Sequence, residues 1–175
     1  MKRIGLLLTF IFIVISMMAE KHQRVLYIGD SVTDGGWGRS GGSALPSEKR
    51  NHKDLNHVYG HSYMMLCAAH YQSAYPYASL EFLNRGISGN TLSDLESRWE
   101  KDVLAEKPDI LSVLIGTNDV GEWLKNHKTD EGFDYNIWEK RYHTLLQSTK
   151  AANADVSSCC VPLLYRKLHL QHGSR

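Results

Sequence analysis

The sequence predicts an α/β fold built around a parallel β-sheet. Three short runs, at residues 24–28, 80–83 and 110–115, have the apolar composition of buried strands. A segment with apolar residues at helical spacing follows each run, and this alternation predicts parallel strands joined by right-handed crossovers. With 175 residues, the chain is long enough for one domain with a substantial hydrophobic core.

The strand predictions rest on composition and on the residues that end each run. The run at 110–115 is apolar at nearly every position, as expected of a central parallel strand that is covered on both faces. The run at 24–28 contains β-branched and aromatic residues and ends at Gly29, which suits a buried strand. The run at 80–83 is predicted as the remaining strand.

Three helices are predicted from apolar residues spaced by three or four positions. The first carries Tyr63, Met64, Cys67, Ala68 and Tyr71, the second Leu92, Leu95, Trp99 and Val103, and the third Ile137, Trp138, Tyr142, Leu145 and Leu146. Ser93 and Glu96 have the spacing of a capping box at the start of the second helix. Pro108 ends that helix.

After Asp155 the alternation of strand and helix fails. A fourth apolar strand is due, but residues 156–162 read Val-Ser-Ser-Cys-Cys-Val-Pro, and a proline is not tolerated in a central strand. Residues 163–175 contain no acidic residue and several basic ones. We therefore expect residues 156–175 to be an atypical tail from a truncated or frameshifted gene, with a natural basic tail as the alternative. The sheet edge beyond 110–115 is expected to be uncovered.

The N-terminus has the pattern of a secretory signal peptide at residues 1–19. Lys2 and Arg3 precede an apolar stretch, and the sequence turns polar after Ala19, where we place the cleavage site. The apolar stretch is shorter than the ~20 residues that span a bilayer, so no stable membrane span is expected. The protein is predicted to be exported, to the periplasm or the extracellular space.

Composition and motifs exclude several functional classes. Lys and Arg number 20 against 19 acidic residues, a balance that argues against a nucleic-acid-binding surface. The chain has no Cys-x-x-Cys or His-Glu-x-x-His pattern, so no metal site is expected. Residues 36–41 match the dinucleotide pattern G-x-G-x-x-G, but they lie in a predicted loop at 35–56 and do not open a helix. We therefore expect no cofactor.

A polar cluster follows each of the three predicted strands. The clusters are Gly-Asp-Ser at 29–31, Ile-Ser-Gly-Asn at 87–90 and Gly-Thr-Asn-Asp at 116–119. Taken singly, each has an ordinary explanation as a helix cap, a glycine with positive φ or a turn. Ligands bind at the carboxyl ends of parallel strands, so the three clusters are expected to meet in one crevice. A serine hydroxyl, glycine N–H groups and an asparagine amide can attack a carbonyl and hold the resulting oxyanion.

These clusters, extended to 29–34, 84–91 and 116–119, resemble the first three conserved blocks of the SGNH (GDSL-type) hydrolases. The resemblance covers about 25–155 and implies a hydrolase domain at 24–155, a three-layer α/β/α sandwich with a flavodoxin-like parallel sheet, incomplete at its C-terminus. The family hydrolyses esters of lipids, acylated sugars and other small acyl substrates. Carried over block by block, Ser31 is the implied nucleophile. The implied oxyanion hole consists of the N–H groups of Ser31 and Gly89 and the side-chain amide of Asn118.

The sequence departs from the family pattern in its fourth block, an Asp-x-x-His near the C-terminus. Of nine histidines, only His57 lies three residues after an aspartate, Asp54, and this pair precedes the second block, so we interpret it as a coincidence. His169 and His172 lack a partnering acid. The leading interpretation is a secreted serine ester hydrolase whose substrate is a small acyl ester, with acylated sugars among the candidates. The alternative is a catalytically inactive acyl- or sugar-binding domain.

Overall fold

The computed structural model describes residues 23–35, 59–126 and 133–160. In this part of the chain, four strands form one wholly parallel sheet in the order β2-β1-β3-β4, which is the flavodoxin-like order. The predicted α/β fold class is confirmed. The strands are β1 (Gln23–Gly29), β2 (Leu80–Gly86), β3 (Ile110–Leu114) and β4 (Ser157–Cys160).

Helices connect the strands and cover both faces of the sheet. They are α1 (Ser31–Asp34), α2 (Tyr63–Ala74), α3 (Leu92–Trp99), α4 (Thr117–Asn126) and α5 (Tyr135–Ala152). A π-helical turn over Glu100–Leu104 continues α3. Helix α4 has no counterpart among the predicted helices, and it buries none of its residues. No helix in the described ranges is long and apolar enough to cross a membrane.

Alternate side chains of the central strand β1 point to opposite faces of the sheet. Leu26 and Ile28 belong to the core cluster that α3 and α5 form with the sheet. Val25 and Tyr27 belong to a second cluster on the α2 face. The sheet is therefore the middle layer of a three-layer sandwich, and each fully buried aliphatic side chain contributes about 1.5–3 kcal/mol to its stability.

The prediction that the strand pattern ends at Asp155 is wrong. Strand β4 pairs in parallel with β3, with Ser157 opposite Ile110 and Cys160 opposite Val113. Strand β4 is described as far as Cys160, and Pro162 lies outside the described residues. Within the described ranges β4 has one neighbouring strand, and an edge position accepts a short, polar strand. The edge beyond β3 is thus occupied, whereas the interpretation of residues 156–175 as a tail remains a prediction.

Two details of the predicted helices are also corrected. The capping box at the start of α3 is formed by Thr91 and Asp94, because the chain leaves its turn two residues earlier than predicted. On α5, Ile137 is 59% exposed and does not join the buried face. Thr149 takes a place on that face, and its hydroxyl accepts a hydrogen bond of 3.0 Å from the Trp99 indole N–H.

The two ends of the segment between α1 and α2 are tied to the same strand. The Asn84 side-chain amide, on β2, donates to the Thr33 carbonyl at 3.0 Å and to the Tyr59 carbonyl at 2.9 Å. The His61 N–H donates to the Gly35 carbonyl at 3.0 Å. Predictions that fall on residues 36–58 concern a part of the chain outside the described residues.

The turn from β1 into α1 lies directly against the two neighbouring strands. A Cβ atom on Gly29 would stand 2.1 Å from the carbonyl oxygen of Leu114, at the end of β3. A Cβ atom on Gly86 would stand 2.3 Å from the backbone nitrogen of Asp34, in α1. Both positions therefore require glycine because the backbones approach so closely.

Replacing Gly86 with alanine is expected to lower the free energy of unfolding by about 1–3 kcal/mol, because the α1 backbone has to move away from the new methyl group. Gly121→Ala, on α4, is the matched control. A Cβ atom there meets nothing within 4 Å, and alanine in a helix is expected to add about 0.5–1 kcal/mol. Urea titration followed by circular dichroism measures both changes. A Gly86→Ala protein as stable as wild type would contradict the close approach.

Candidate active site

A crevice is expected between the carboxyl ends of β1 and β3, where the order of the strands reverses. The chain leaving β1 passes through α1 and α2 to β2 on one side, whereas the chain leaving β3 passes through α4 and α5 to β4 on the other. Such a switch point is the usual binding site of an open parallel sheet. Ser31 begins α1 and Thr117 begins α4, so the first and third polar clusters flank this point.

Ser31 is placed by a sharp turn between a strand and a short helix. Asp30 is the N-cap of α1, and its Oδ1 atom accepts a hydrogen bond of 2.9 Å from the Val32 N–H. The Asp30 side chain is fully buried, whereas Ser31 is exposed. The helix ends after one turn at Gly35, which has a positive φ of 65°. The turn therefore directs Ser31 toward solvent and Asp30 into the protein.

The second polar cluster forms a turn attached to the first. The Ile87 N–H donates to the Gly29 carbonyl at 3.0 Å, and the Ser88 hydroxyl donates to the Asp34 carboxylate. Gly89 has a φ of 86°, a conformation that favours glycine. An added Cβ at Gly89 would meet nothing within 4 Å, so open space adjoins its backbone.

The third polar cluster holds the segment that follows this turn. The side-chain amide of Asn118 donates to the Asn90 carbonyl at 2.9 Å. The Asp119 carboxylate accepts hydrogen bonds from the Leu92 N–H at 3.0 Å and from the Trp138 indole N–H at 3.0 Å. Hydrogen bonds therefore link all three predicted clusters at the carboxyl edge of the sheet.

Three polar residues of this region were not predicted from the sequence. Asp34 contacts Ser88, Asp119 binds the first N–H of α3, and Arg98 contacts both β1 and Asn90. Asp34 and Asp119 lie inside the motifs that define the first and third clusters, which was the available signal. The histidines considered at 57, 169 and 172 lie outside the described residues.

Burial controls the protonation of Asp30. Loss of hydration raises the pKa of its carboxyl above the ordinary value of 3.8, and the Asp119 carboxylate raises it further, while the hydrogen bond from Val32 opposes the change. The Asp30 Oδ2 atom has no hydrogen-bond partner in the part of the chain that the structure describes. Asp30 therefore caps α1, and the poor solvation of its buried carboxylate lowers the stability of the folded protein.

An apolar groove of about 760 Å³ lies elsewhere, between α2 and the sheet. Its lining includes Tyr27, Phe82 and Ile110, on the sheet face that α2 covers only in part. Neither Ser31 nor Gly89 nor Asn118 lines it. We place the candidate site at the three polar clusters rather than in this groove, because the clusters carry the residues that the family resemblance implies and none of these lines the groove.

Residues 27–172 match the model of the GDSL-like Lipase/Acylhydrolase family. The chain belongs to this family. The match includes all three polar clusters, so the resemblance inferred from them is confirmed.

The chain also resembles individual proteins. It is 40% identical over 98 residues to an acetylxylan esterase of Geobacillus stearothermophilus, covering 56% of this chain and 40% of that protein. It is 30% identical over 105 residues to the lipoprotein YqeF of Bacillus subtilis, covering 55% of this chain and 40% of that protein. The chain thus spans about two fifths of the length of these curated relatives.

Solved structures show the same fold. An acetylxylan esterase from Geobacillus stearothermophilus superposes with a TM-score of 0.61 and 33% identity, covering 79% of this chain and 58% of that chain. The alpha/beta hydrolase LAE5, from the metagenome of Lake Arreo, gives a TM-score of 0.62 at 29% identity, covering 79% and 59%. Catalytic mutants of the Geobacillus enzyme replace a serine, an aspartate or a histidine with alanine, and the last two lie three residues apart in that protein.

Replacing Asp30 with asparagine is expected to stabilise the protein at pH 7 by about 1–3 kcal/mol, because the neutral amide keeps the cap and removes a poorly solvated charge. A raised pKa in the folded state means that wild-type stability falls as the pH rises from about 4 through that pKa. The advantage of the variant should therefore disappear toward pH 4. Thermal unfolding between pH 4 and pH 8 measures it.

Asp134→Asn is the matched control for this experiment. Asp134 also caps a helix, accepting a hydrogen bond of 3.0 Å from the Ile137 N–H, but it is exposed. Its replacement should change stability little at any pH in this range. An Asp30→Asn protein less stable than wild type at pH 7 would contradict the account of Asp30.

Proposed function

We propose that this protein is a serine ester hydrolase in which Ser31 is the nucleophile. The observation that carries the proposal is the hydrogen-bonded connection of the three clusters, from Gly29 to Ile87 and from Asn90 to Asn118, around the switch point of the sheet. It brings a solvent-exposed serine hydroxyl to the same edge as a glycine in open space and a side-chain amide. The esterases among the relatives support this reaction over a binding domain without turnover.

In the proposed reaction, the Ser31 hydroxyl attacks the carbonyl carbon of an ester. The electron pair of the C=O bond moves to oxygen, and the resulting oxyanion accepts hydrogen bonds from the N–H groups of Ser31 and Gly89 and from the Asn118 amide. Collapse of this intermediate breaks the bond to the alcohol oxygen, which leaves with the proton that a base took from Ser31. Water then attacks the acyl group on Ser31, which releases the carboxylic acid and restores the serine hydroxyl. Preorganised donors of this kind are each worth about 3–4 kcal/mol in the transition state.

The proposed donors are compatible with the contacts that hold them. A side-chain amide has two N–H bonds, and Asn118 uses one on the Asn90 carbonyl. The second serves the substrate oxygen. The positive φ of Gly89 directs its backbone differently from that of an ordinary residue in a turn, and the open space beside it leaves room for the acyl group.

A base has to take the proton from the Ser31 hydroxyl. We propose that it is a histidine oriented by an aspartate, and in the family pattern this aspartate lies three residues before the histidine. The catalytic mutants of the Geobacillus esterase support this pairing. In this sequence only Asp54 and His57 have the required spacing, and their place before the second cluster still argues against them.

We propose an acetylated carbohydrate as the substrate class, because the matched curated esterase acts on acetylxylan by name. Export of the protein is a further proposal. It is supported by the signal-peptide pattern at residues 1–19 and by the similarity to a lipoprotein. N-terminal sequencing of the mature protein tests this proposal, and we expect the mature protein to begin at Glu20.

Replacing Ser31 with alanine is expected to lower the turnover of p-nitrophenyl acetate by at least about 10³-fold, because the hydroxyl that attacks the ester is removed. Circular dichroism should show an unchanged fold, since Ser31 is exposed. Ser73→Ala, at an exposed position on α2, is the matched control and should keep wild-type turnover. Retained turnover in Ser31→Ala would refute the assignment of the nucleophile.

Replacing Asn118 with alanine is expected to lower kcat by about 10²–10³-fold with little change in KM, because the amide binds charge that develops only in the transition state. Asn126→Ala, at the exposed end of the same helix, should leave both constants unchanged. Steady-state kinetics with p-nitrophenyl acetate separates the two constants. A rise in KM alone would show that Asn118 binds the ground state instead.

A further inference from the structure

We infer that Arg98 is a positioning residue for the oxyanion hole, acting through Asn90 on the backbone of Gly89. This inference rests on the proposed function. Arg98 lies on α3, outside the three polar clusters, and its guanidinium reaches the first two of them. It therefore joins segments that the proposed reaction requires to be in fixed relative positions.

Among the described residues, the Arg98 guanidinium donates to at least four acceptors. Its Nε atom lies 2.9 Å from the Asn90 side-chain oxygen, and one terminal nitrogen lies 2.8 Å from the Arg85 carbonyl. The other terminal nitrogen lies 3.3 Å from the carbonyl of Gly29. These contacts connect the ends of β1 and β2 to the residue that directly follows Gly89.

Asp102 orients this guanidinium. Its carboxylate lies 2.6 Å from the Arg98 terminal nitrogen, one helical turn further along. The side chain of Arg98 is 13% exposed and that of Asp102 is 1% exposed. A largely buried ion pair of this kind holds one geometry, because breaking it would leave an uncompensated charge in the interior.

Asn90 is held from two directions. Arg98 binds its side-chain oxygen, and the Asn118 amide binds its backbone carbonyl. Asn90 thus accepts one hydrogen bond from Asn118, the proposed oxyanion donor, and another from Arg98. Arg98 also contacts the end of β1, the strand before Ser31. A displacement of about 1 Å in such a group can cost 10²-fold in rate, so the position of the Gly89 N–H depends on this contact.

Lysine cannot replace Arg98 in this role. The planar guanidinium presents five N–H bonds in a fixed fork, whereas an ammonium is a point charge on a flexible stem. Lysine keeps the positive charge that balances Asp102 but cannot reach Asn90, Arg85 and Gly29 together. Arg98→Lys therefore separates the positioning effect from simple loss of charge.

The test compares wild type, Arg98→Lys, Asn90→Ala and the double variant in the full-length protein. Arg98→Lys is expected to lower kcat for p-nitrophenyl acetate by about 10–100-fold while KM changes little. Amide hydrogen exchange of residues 88–90, followed by mass spectrometry, should become faster. The kcat of the double variant should be no lower than that of the less active single variant, because both changes remove the same contact.

Arg141→Lys is the matched control. Arg141 binds Glu96 between α5 and α3, and none of its described hydrogen bonds reaches the polar clusters. This variant should keep wild-type kcat and wild-type exchange at 88–90.

The outcomes separate this inference from the proposed function. If the activity losses of the two single variants multiply in the double variant, the positioning role is wrong. The same holds if Arg98→Lys keeps both wild-type kcat and wild-type exchange at 88–90. In either case the turnover that depends on Ser31 would persist. A wild-type protein whose turnover does not depend on Ser31 would instead overturn the proposed function. An Arg98→Lys protein that unfolds more easily but keeps its kcat would reveal a structural role only, and would also refute the inference.

Discussion

The contact of the β1–α1 turn with the neighbouring strands is the constraint on which the site depends. Gly29 and Gly86 each lie so close to another backbone that no Cβ atom fits. The backbone after β1 is therefore confined between the ends of β2 and β3, and Ser31 has one position relative to both. The hydrogen bonds of Ile87 and Asn118 extend the same connection to the second and third clusters.

The parts of the fold that follow from hydrophobic pattern could be predicted from the sequence. β1 and β3 are apolar runs, and the buried faces of α2 and α3 have helical spacing, so their positions were correct. β4 was not predicted because it lacks an apolar pattern, whereas α4 has Val120, Trp123 and Leu124 at helical spacing and was overlooked. The β4 sequence begins with two serines that need only backbone pairing, and α4 buries no residue.

The candidate site, like the fold, could be predicted from the sequence only in part. The roles of Ser31, Gly89 and Asn118 came from the resemblance of their clusters to the conserved blocks of the family. That these clusters lie at one edge of the sheet could be predicted, because each follows a predicted strand and parallel strands bring their carboxyl ends together. The contacts of Arg98 and Asp119 could not, because they join residues that are distant in the chain and depend on how helices pack on the sheet. The capping box was predicted two residues too late, because Ser93–Glu96 and Thr91–Asp94 both have the required spacing and the structure uses the second pair.

Asn84 has a consequence for how this protein can vary. By binding the carbonyls of Thr33 and Tyr59, it holds together the two ends of the chain segment 36–58. Variation at Asn84 therefore acts on both ends at once, because losing its amide frees the carbonyl of Thr33, two residues after Ser31, together with the chain that leads into α2.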